Sequence, residues 1–431
     1  MTTHYRSVLL NRPNAMAYQE EPPHPDVTGV AWHYGEPLSE QRAITSTGAI
    51  VDRSHRRVIR VTGPEAAAFL HNLLSQKLDD VQAGWSGSAL DLDTQGRILH
   101  TMDIAVTTDT GADAGTGADA GASAGDGAGS GTSAGASDHT GDSADAGAGA
   151  SDHTGDSADA GAAAAPEGLA FYLDCEAGKF DSLRDFLQKM IFWSQVTIEE
   201  ADLAIITVLG GPTDTHLPSQ AVYSRTVSTA TPAGTGSTQP TTGLWEARRT
   251  DIAVPREQLE AAVEELESTG LQLVGLMTYT AERVKALEAE SVDLDEKSIP
   301  HEIPHWIGRG ERVGAVHLEK GCYRGQETVA RVENLGRSPR VLVLLHLDGS
   351  APTMPSPGAD IQMKGRRVGK LGTVIDDCDY GPIALGIIKR SALDAGQVNI
   401  GDVAASIDAD SIPAEEGEKA GRAAINKLRG H

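Results

Sequence analysis

The sequence is short of cysteine, of aromatic rings and of positive charge, and it contains no long apolar run. Three cysteines in 431 residues, Cys175, Cys322 and Cys378, cannot make a disulfide framework or a four-thiolate zinc or iron-sulfur site supplied by one chain. Thiol chemistry here involves one cysteine at a time. Lys plus Arg number 36 against 61 Asp plus Glu, a formal net charge of -25, which argues against a basic face that would hold a phosphate backbone. No direct nucleic-acid partner is expected. No run of about 18 apolar residues occurs, so no membrane helix is expected. Residues 1–14 show only a three-residue apolar run and no small-residue cleavage site. A cytoplasmic chain is expected, and with no coiled-coil segment, a monomer.

Glycine, at 48 residues, is abundant, and aromatics make up only 4% of the chain. Such a skew points to one segment unlike the rest. Residues 109–165 are almost wholly Gly, Ala, Asp, Ser and Thr, which cannot bury enough apolar surface to offset chain entropy. The block G-A-S-D-H-T-G-D-S-A-D-A-G-A at 135–148 recurs unchanged at 149–162. Its period is too short, and too free of apolar residues, for a solenoid. We read it as a disordered insert; on so flexible a chain, His139 and His153 do not make a metal site. The insert carries ten of the excess negative charges.

Around the insert the pattern is α+β. Residues 49–59 read as a strand, and T-G-P-E at 62–65 opens a helix over 64–78 with Ala67, Phe69, Leu70, Leu73 and Leu74 inward. Residues 88–106 alternate around a T-Q-G turn as a hairpin, and 168–175 resume the same sheet. Helix-like 179–190, strand-like 196–209, a polar loop at 222–243, strand-like 249–254 and helix-like 256–268 follow. From 340 onward, short apolar runs punctuated by Gly and Pro predict a small β-barrel or sandwich. The expected organisation is an N-terminal arm at 1–45, an α+β region from 46–108 and 166–339, the insert at 109–165, the barrel at 340–408 and a polar tail at 409–431.

The densest unusual stretch is L-E-K-G-C-Y-R-G-Q-E-T-V-A-R at 318–331. Gly321 and Gly325 bracket Cys322 in a pattern suited to a tight exposed turn, with Gln326 and Glu327 opening the next element. Lys320 and Arg324 flank the thiol and would favour its thiolate form. The competing reading is a small buried cysteine in a structural turn. H-E-I-P-H at 301–305 has zinc-protease spacing, but Pro304 is incompatible with the helix that chemistry needs. No metal site is expected. Neither a P-loop nor a strand-bound G-x-G-x-x-G is present, so nucleotide binding has no support.

K-G-C-Y-R-G-Q-E at 320–327 resembles the signature of the YgfZ family, folate-binding relatives of the glycine cleavage T-protein, the aminomethyltransferase. W-H-Y-G-E-P-L-S-E-Q-R at 32–42, V-D-R-S-H-R at 51–56, residues 61–76, I-P-H-E at 299–302 and G-P-I-A-L-G-I-I-K-R at 381–390 are similar, in the same order, to members of actinobacterial type. The resemblance implies an α+β folate-binding region around a central cavity and a small C-terminal β-barrel. It also implies tetrahydrofolate or a one-carbon derivative as ligand, and support of iron-sulfur cluster assembly or repair in client enzymes, tRNA-thiolating ones included. The motif cysteine, here Cys322, would be the functional centre, within a motif of Lys320, Gly321, Tyr323, Arg324, Gly325, Gln326, Glu327 and Arg331. Glu288 approximates the family's acidic pteridine contact, and Arg283 is a candidate tail or carbonyl contact; an ordinary solvated helix face is the competing reading for both.

One departure bears on activity. Where the T-proteins carry an acid pair on the early hairpin, this sequence has His100 and Thr101, with Asp103 two residues on. Without a carboxylate at the amine, proton handling in methylene transfer lacks its agent. The leading expectation is therefore a folate-binding accessory protein. The alternatives are a folate-dependent aminomethyltransferase and a folate-independent thiol redox or scaffold protein.

Overall fold

The computed structural model describes residues 5–19, 27–110, 168–212, 216–227, 245–309 and 313–413. The expected disorder of the insert beyond its first two residues, its repeat, and most of the polar tail lie outside the described residues.

Two five-stranded sheets and a barrel carry the chain. The N-terminal segment contributes β1 (Met16–Ala17), β2 (Ala31–His33), α1 (Pro37–Gln41) and α2 (Ala43–Ser46). The first sheet is built from β4 (Arg57–Thr62), β5 (Ser86–Leu92), β6 (Ile98–Asp109), β7 (Gly168–Cys175) and β8 (Thr197–Ala201), in the order β5-β6-β7-β4-β8. The second contains β3 (Ala49–Asp52), β9 (Leu203–Leu209), β10 (Tyr223–Val227), β11 (Arg249–Pro255) and β12 (Gln272–Val274), in the order β10-β11-β9-β3-β12. Helices α3 (Ala66–Leu73) and α4 (Ala177–Lys189) cover the first sheet, and α5 (Leu259–Ser268) the second. The apolar set Leu259, Ala262, Val263 and Leu266 of α5 is spaced i, i+3, i+4, i+7 and is buried.

The predicted hairpin is present, and β7 pairs antiparallel with β6, so the insert leaves at Asp109 and returns opposite it at Gly168. Four expectations need correction. Residues 49–59 form two strands in different sheets, because D-R-S-H-R turns the chain between β3 and β4. Residues 196–209 likewise divide, at Asp202, into the exposed edge strand β8 and the wholly buried β9. Apolar periodicity does not register such a change of sheet, since both halves remain extended. The polar loop at 222–243 begins with strand β10, paired to β11 through Arg225 and Asp251. The helix predicted over 64–78 stops at Leu73: Leu74 is extended (φ -97°, ψ 160°) but still buried.

After α6 (Leu276–Lys285), a run of short turns leads to α7 (Gln326–Leu335) and the barrel. β13 (Arg340–Leu347), β14 (Asp360–Met363), β15 (Arg366–Asp377), β16 (Gly381–Lys389), β17 (Gln397–Ile400) and β18 (Val403–Ile407) close on themselves in the order β13-β16-β15-β14-β17-β18. Period-two alternation divides β13 and β16 between two cores. Val341, Val343 and Leu345 fill the barrel, while Leu342 and Leu344 face the core shared with α6 and α7. In β16, Ile383, Leu385 and Ile387 join that shared core, and Ala384 and Ile388 point into the barrel. The α+β fold with a closed C-terminal barrel is thus as expected. No helix among the described residues is long and apolar enough to cross a membrane.

Candidate functional site

The motif loop presents Cys322 by anchoring the residues around it. Cys322 is exposed and Cys175 is buried. Lys320 turns inward: its ammonium donates to the carbonyls of His71 and Leu74 at the end of α3 and lies 4.8 Å from the centre of the buried Tyr323 ring. Burial pulls that ammonium down to about 8. Arg324 donates through Nε to the Leu92 carbonyl and through Nη2 to Asp91 Oδ1 at 2.5 Å, and its guanidinium covers the Phe186 ring of α4 at 4.4 Å. Gly325 has φ +83°, and a Cβ there would lie 2.6 Å from the Asp93 carbonyl oxygen and 2.9 Å from the Gly96 Cα. The loop therefore crosses directly over the β5-β6 turn, which only glycine permits. Gln326 donates to the Lys320 carbonyl at 3.3 Å, while Glu327 and Arg331 face solvent on α7. The hydrogen bonds of Lys320 and Arg324 fix the loop to α3 and to the hairpin.

A cavity of about 510 Å³ lies between the N-terminal segment, α6 and the barrel. Trp32 and Tyr279 give it aromatic wall, and Arg53, Arg283 and Glu290 give it charge. Helix α6 supplies Tyr279 and Arg283 among these groups, nine of its ten residues being buried. Its start depends on Gly275, whose missing Cβ makes room for the Trp32 carbonyl. Arg53 lies 4.1 Å from the Tyr279 ring centre; its Nη1 faces Thr207 (3.3 Å) and Asp251 (3.5 Å), and its Nε has no hydrogen-bond partner among the described residues. Arg283 donates to Asp293 Oδ2 at 2.7 Å and to Thr373 Oγ1 of β15 at 2.6 Å, and its Nε is 3.4 Å from Glu290.

Arg283, picked from sequence, thus lines the cavity, but as a buried bridge and not on a solvated helix face. Glu288 does not line it. The helix has ended, Leu287 has φ +56°, and Glu288 accepts from Arg249 at 2.8 Å and from the Trp245 indole. Burial would raise its carboxyl, yet Arg249 and Trp245 outweigh that and hold it at about 2. Cys322 does not line the cavity either.

Behind Arg53 lies an ionic network that the sequence reading missed. Asp251 accepts from Arg249 (3.0 and 2.8 Å) and from Arg225 (2.6 Å), and Arg225 also reaches Asp103 at 2.5 Å. Burial opposes the Asp251 charge, but the three surrounding guanidiniums pull its carboxyl far below the usual range. The available signal was R-T-D inside the strand R-T-D-I-A-V-P: charged residues in a wholly buried strand occur only when paired.

At the position of the T-protein acid pair, His100 turns to Asp91 and Ser182, each at 2.8 Å. Asp103 is held by Arg225 and by the Ser88 hydroxyl at 2.7 Å. His100, Thr101 and Asp103 are all outside the cavity lining. H-E-I-P-H forms two 3-10 turns, with His301 Nε2 3.2 Å from Glu333. Asp377, Cys378 and Asp379 bring three ligand atoms within 4.8 Å of one another, where the Lys285 ammonium already stands 3.1 Å from Asp377 Oδ2.

The residues present suit a folate. The cavity has the volume of a small-ligand pocket, rings to stack a pteridine, a carboxylate for its N–H edge, and a buried Arg53 Nε without a hydrogen-bond partner among the described residues.

No family model matches the chain. The architecture is that of the glycine cleavage aminomethyltransferases: it is similar to the aminomethyltransferase T of Bartonella henselae with a TM-score of 0.62 over 94% of this chain and 96% of that one, at 16% identity. In sequence the chain is similar to the tRNA-modifying protein YgfZ of Enterobacter sp. (strain 638), 30% identical over 107 residues, which are 24% of this chain and 32% of that protein. It is 34% identical over 89 residues to the YgfZ of Cronobacter sakazakii, 20% of this chain and 26% of that protein. These matches span about a third or less of the relatives' length.

Proposed function

We propose that this chain is a cytoplasmic, monomeric folate-binding accessory protein of the YgfZ type, in its actinobacterial branch. It supports assembly or repair of iron-sulfur clusters in client enzymes and presents Cys322 to them. The observation that carries the reading is the cavity of about 510 Å³ with Trp32 and Tyr279 as walls and Arg53, Arg283 and Glu290 as charges. Tetrahydrofolate or a one-carbon derivative is its ligand: the rings hold the pteridine, Glu290 accepts from its N–H groups, and a guanidinium meets the glutamate tail. The folate supplies one-carbon chemistry when bound; the chain's residues bind and orient it.

A lone thiolate cannot hold a cluster, so any contact of Cys322 with one is shared with the client. The relatives are described as tRNA-modifying; in our reading that activity passes through client enzymes, tRNA-thiolating ones among them, without direct contact with RNA. The fold itself favours a second reading, aminomethyl transfer to folate. It would need a carboxylate at the reacting amine, and Asp103 is engaged by Arg225 instead.

The test is complementation in cells depleted of the protein. The wild-type chain restores the activity of iron-sulfur tRNA-thiolating enzymes and Cys322→Ser does not. Full restoration by Cys322→Ser would remove the cysteine from the reading, and turnover of tetrahydrofolate with an aminomethyl donor would make the protein a transferase.

A further inference from the structure

The hairpin and α4 assemble a second constellation that neither folate nor Cys322 uses. Asp91 and His100 are directly opposed across β5 and β6, which puts their side chains on one face. Asp91 is fully buried and His100 is 7% exposed. Asp91 Oδ2 lies 2.8 Å from His100 Nδ1, and His100 Nε2 lies 2.8 Å from the Oγ of Ser182, an exposed residue of α4. A carboxylate accepts only, so Nδ1 carries a proton, and in the neutral ring Nε2 is then the accepting nitrogen turned to the hydroxyl. This is the order of acid, base and nucleophile by which a hydroxyl is activated, and it is recognised by geometry, whatever the fold.

We propose that Ser182, His100 and Asp91 form a nucleophilic site that accepts acyl groups from activated esters and thioesters. Ser182 Oγ attacks the acyl carbon, and its proton passes to His100 Nε2 as the new C–O bond forms. The tetrahedral species then breaks its bond to the alcohol or thiol, to which His100 returns the proton. Water repeats the sequence on the acyl-serine, releases the carboxylic acid and restores the hydroxyl. Asp91 orients the ring and balances the imidazolium.

Arg324 supplies the cation for the developing oxyanion. Its guanidinium lies on the ring of Phe186, four residues along α4 from Ser182 and so on the same helix face. Its bonds to Asp91 and to the Leu92 carbonyl use Nη2 and Nε, not Nη1. At rest the Ser182 hydroxyl is also within 2.9 Å of the Lys179 carbonyl, so it rotates from that carbonyl to His100 to become reactive.

The competing account is a purely structural chain of hydrogen bonds. To decide, the full-length protein is treated with p-nitrophenyl acetate and with a fluorophosphonate, and the modified residue is located by peptide mass mapping, which separates Ser182 from the exposed Cys322 thiol. We expect acylation of Ser182, its loss in Ser182→Ala, whose position is exposed and tolerant, and a rate lower by about 100-fold or more in His100→Gln. An unmodified Ser182, or modification at an unchanged rate in His100→Gln, overturns the proposal.

Discussion

Lys320 stands two residues before Cys322, yet its ammonium serves the carbonyls of His71 and Leu74. Replacing it with Met would leave two buried acceptors unpaired, and we expect Lys320→Met to lose about 1–3 kcal/mol in urea denaturation. The pH dependence follows from its lowered value of about 8 against 10.5. Between those values the unfolded chain holds the proton and the folded chain does not, so this residue's contribution makes stability rise with pH across that window. Glu288 has the opposite dependence. Held at about 2 against 4.5, it contributes stability that is present above 4.5 and lost as pH falls toward 2. Acid titration of unfolding should show that loss in the wild type and a flatter profile in Glu288→Gln. The motif around Cys322 stood out in the sequence because unusual residues are packed together at 318–331, whereas Arg283 was a candidate only beside the family resemblance. The roles of Lys320 and Arg324 were not legible, since the carbonyls and carboxylate they bind are more than 200 residues away.

Among elements, the β5-β6 hairpin is the support of the motif loop. Gly96 and Gly325 face each other across it, and Arg324 is fixed to the same strand at Asp91 and Leu92. Gly325→Ala would place a methyl against the Asp93 carbonyl in a left-handed conformation. We expect it to cost more than about 1 kcal/mol in chemical denaturation and to alter the rate of Cys322 alkylation. The hairpin and barrel strands were readable because one face of each is buried and period two survives in the sequence. The divisions of 49–59 and 196–209 were not, because a corner between two sheets needs only a few polar residues. β10 escaped for another reason: Tyr223–Val227 is short and joined to a low-complexity stretch, so its composition resembled the loop beyond it.

For the whole molecule, Arg283 ties the central helix to the barrel through Thr373 and to the connecting turns through Asp293. Removing it leaves the carboxylate of Asp293 buried without its cation. Arg283→Met should therefore lose about 3–5 kcal/mol of stability, a loss that thermal or urea unfolding would register. The fold class and the barrel were legible from texture, but the cavity was not. Its walls come from residues 18 to 376 of the chain, and only Arg283 among them was singled out beforehand. Trp32, Arg53 and Tyr279 become a site only once the N-terminal segment, the turn after β3 and α6 are brought together.

In the proposed function this cavity holds a folate. Calorimetric titration with tetrahydrofolate under reducing conditions, comparing wild type with Trp32→Ala, tests it most directly. We predict micromolar or tighter binding, about -8 kcal/mol, weakened by loss of the indole wall. No heat and no thermal stabilisation of the wild type would contradict the claim, as would binding indifferent to Trp32→Ala.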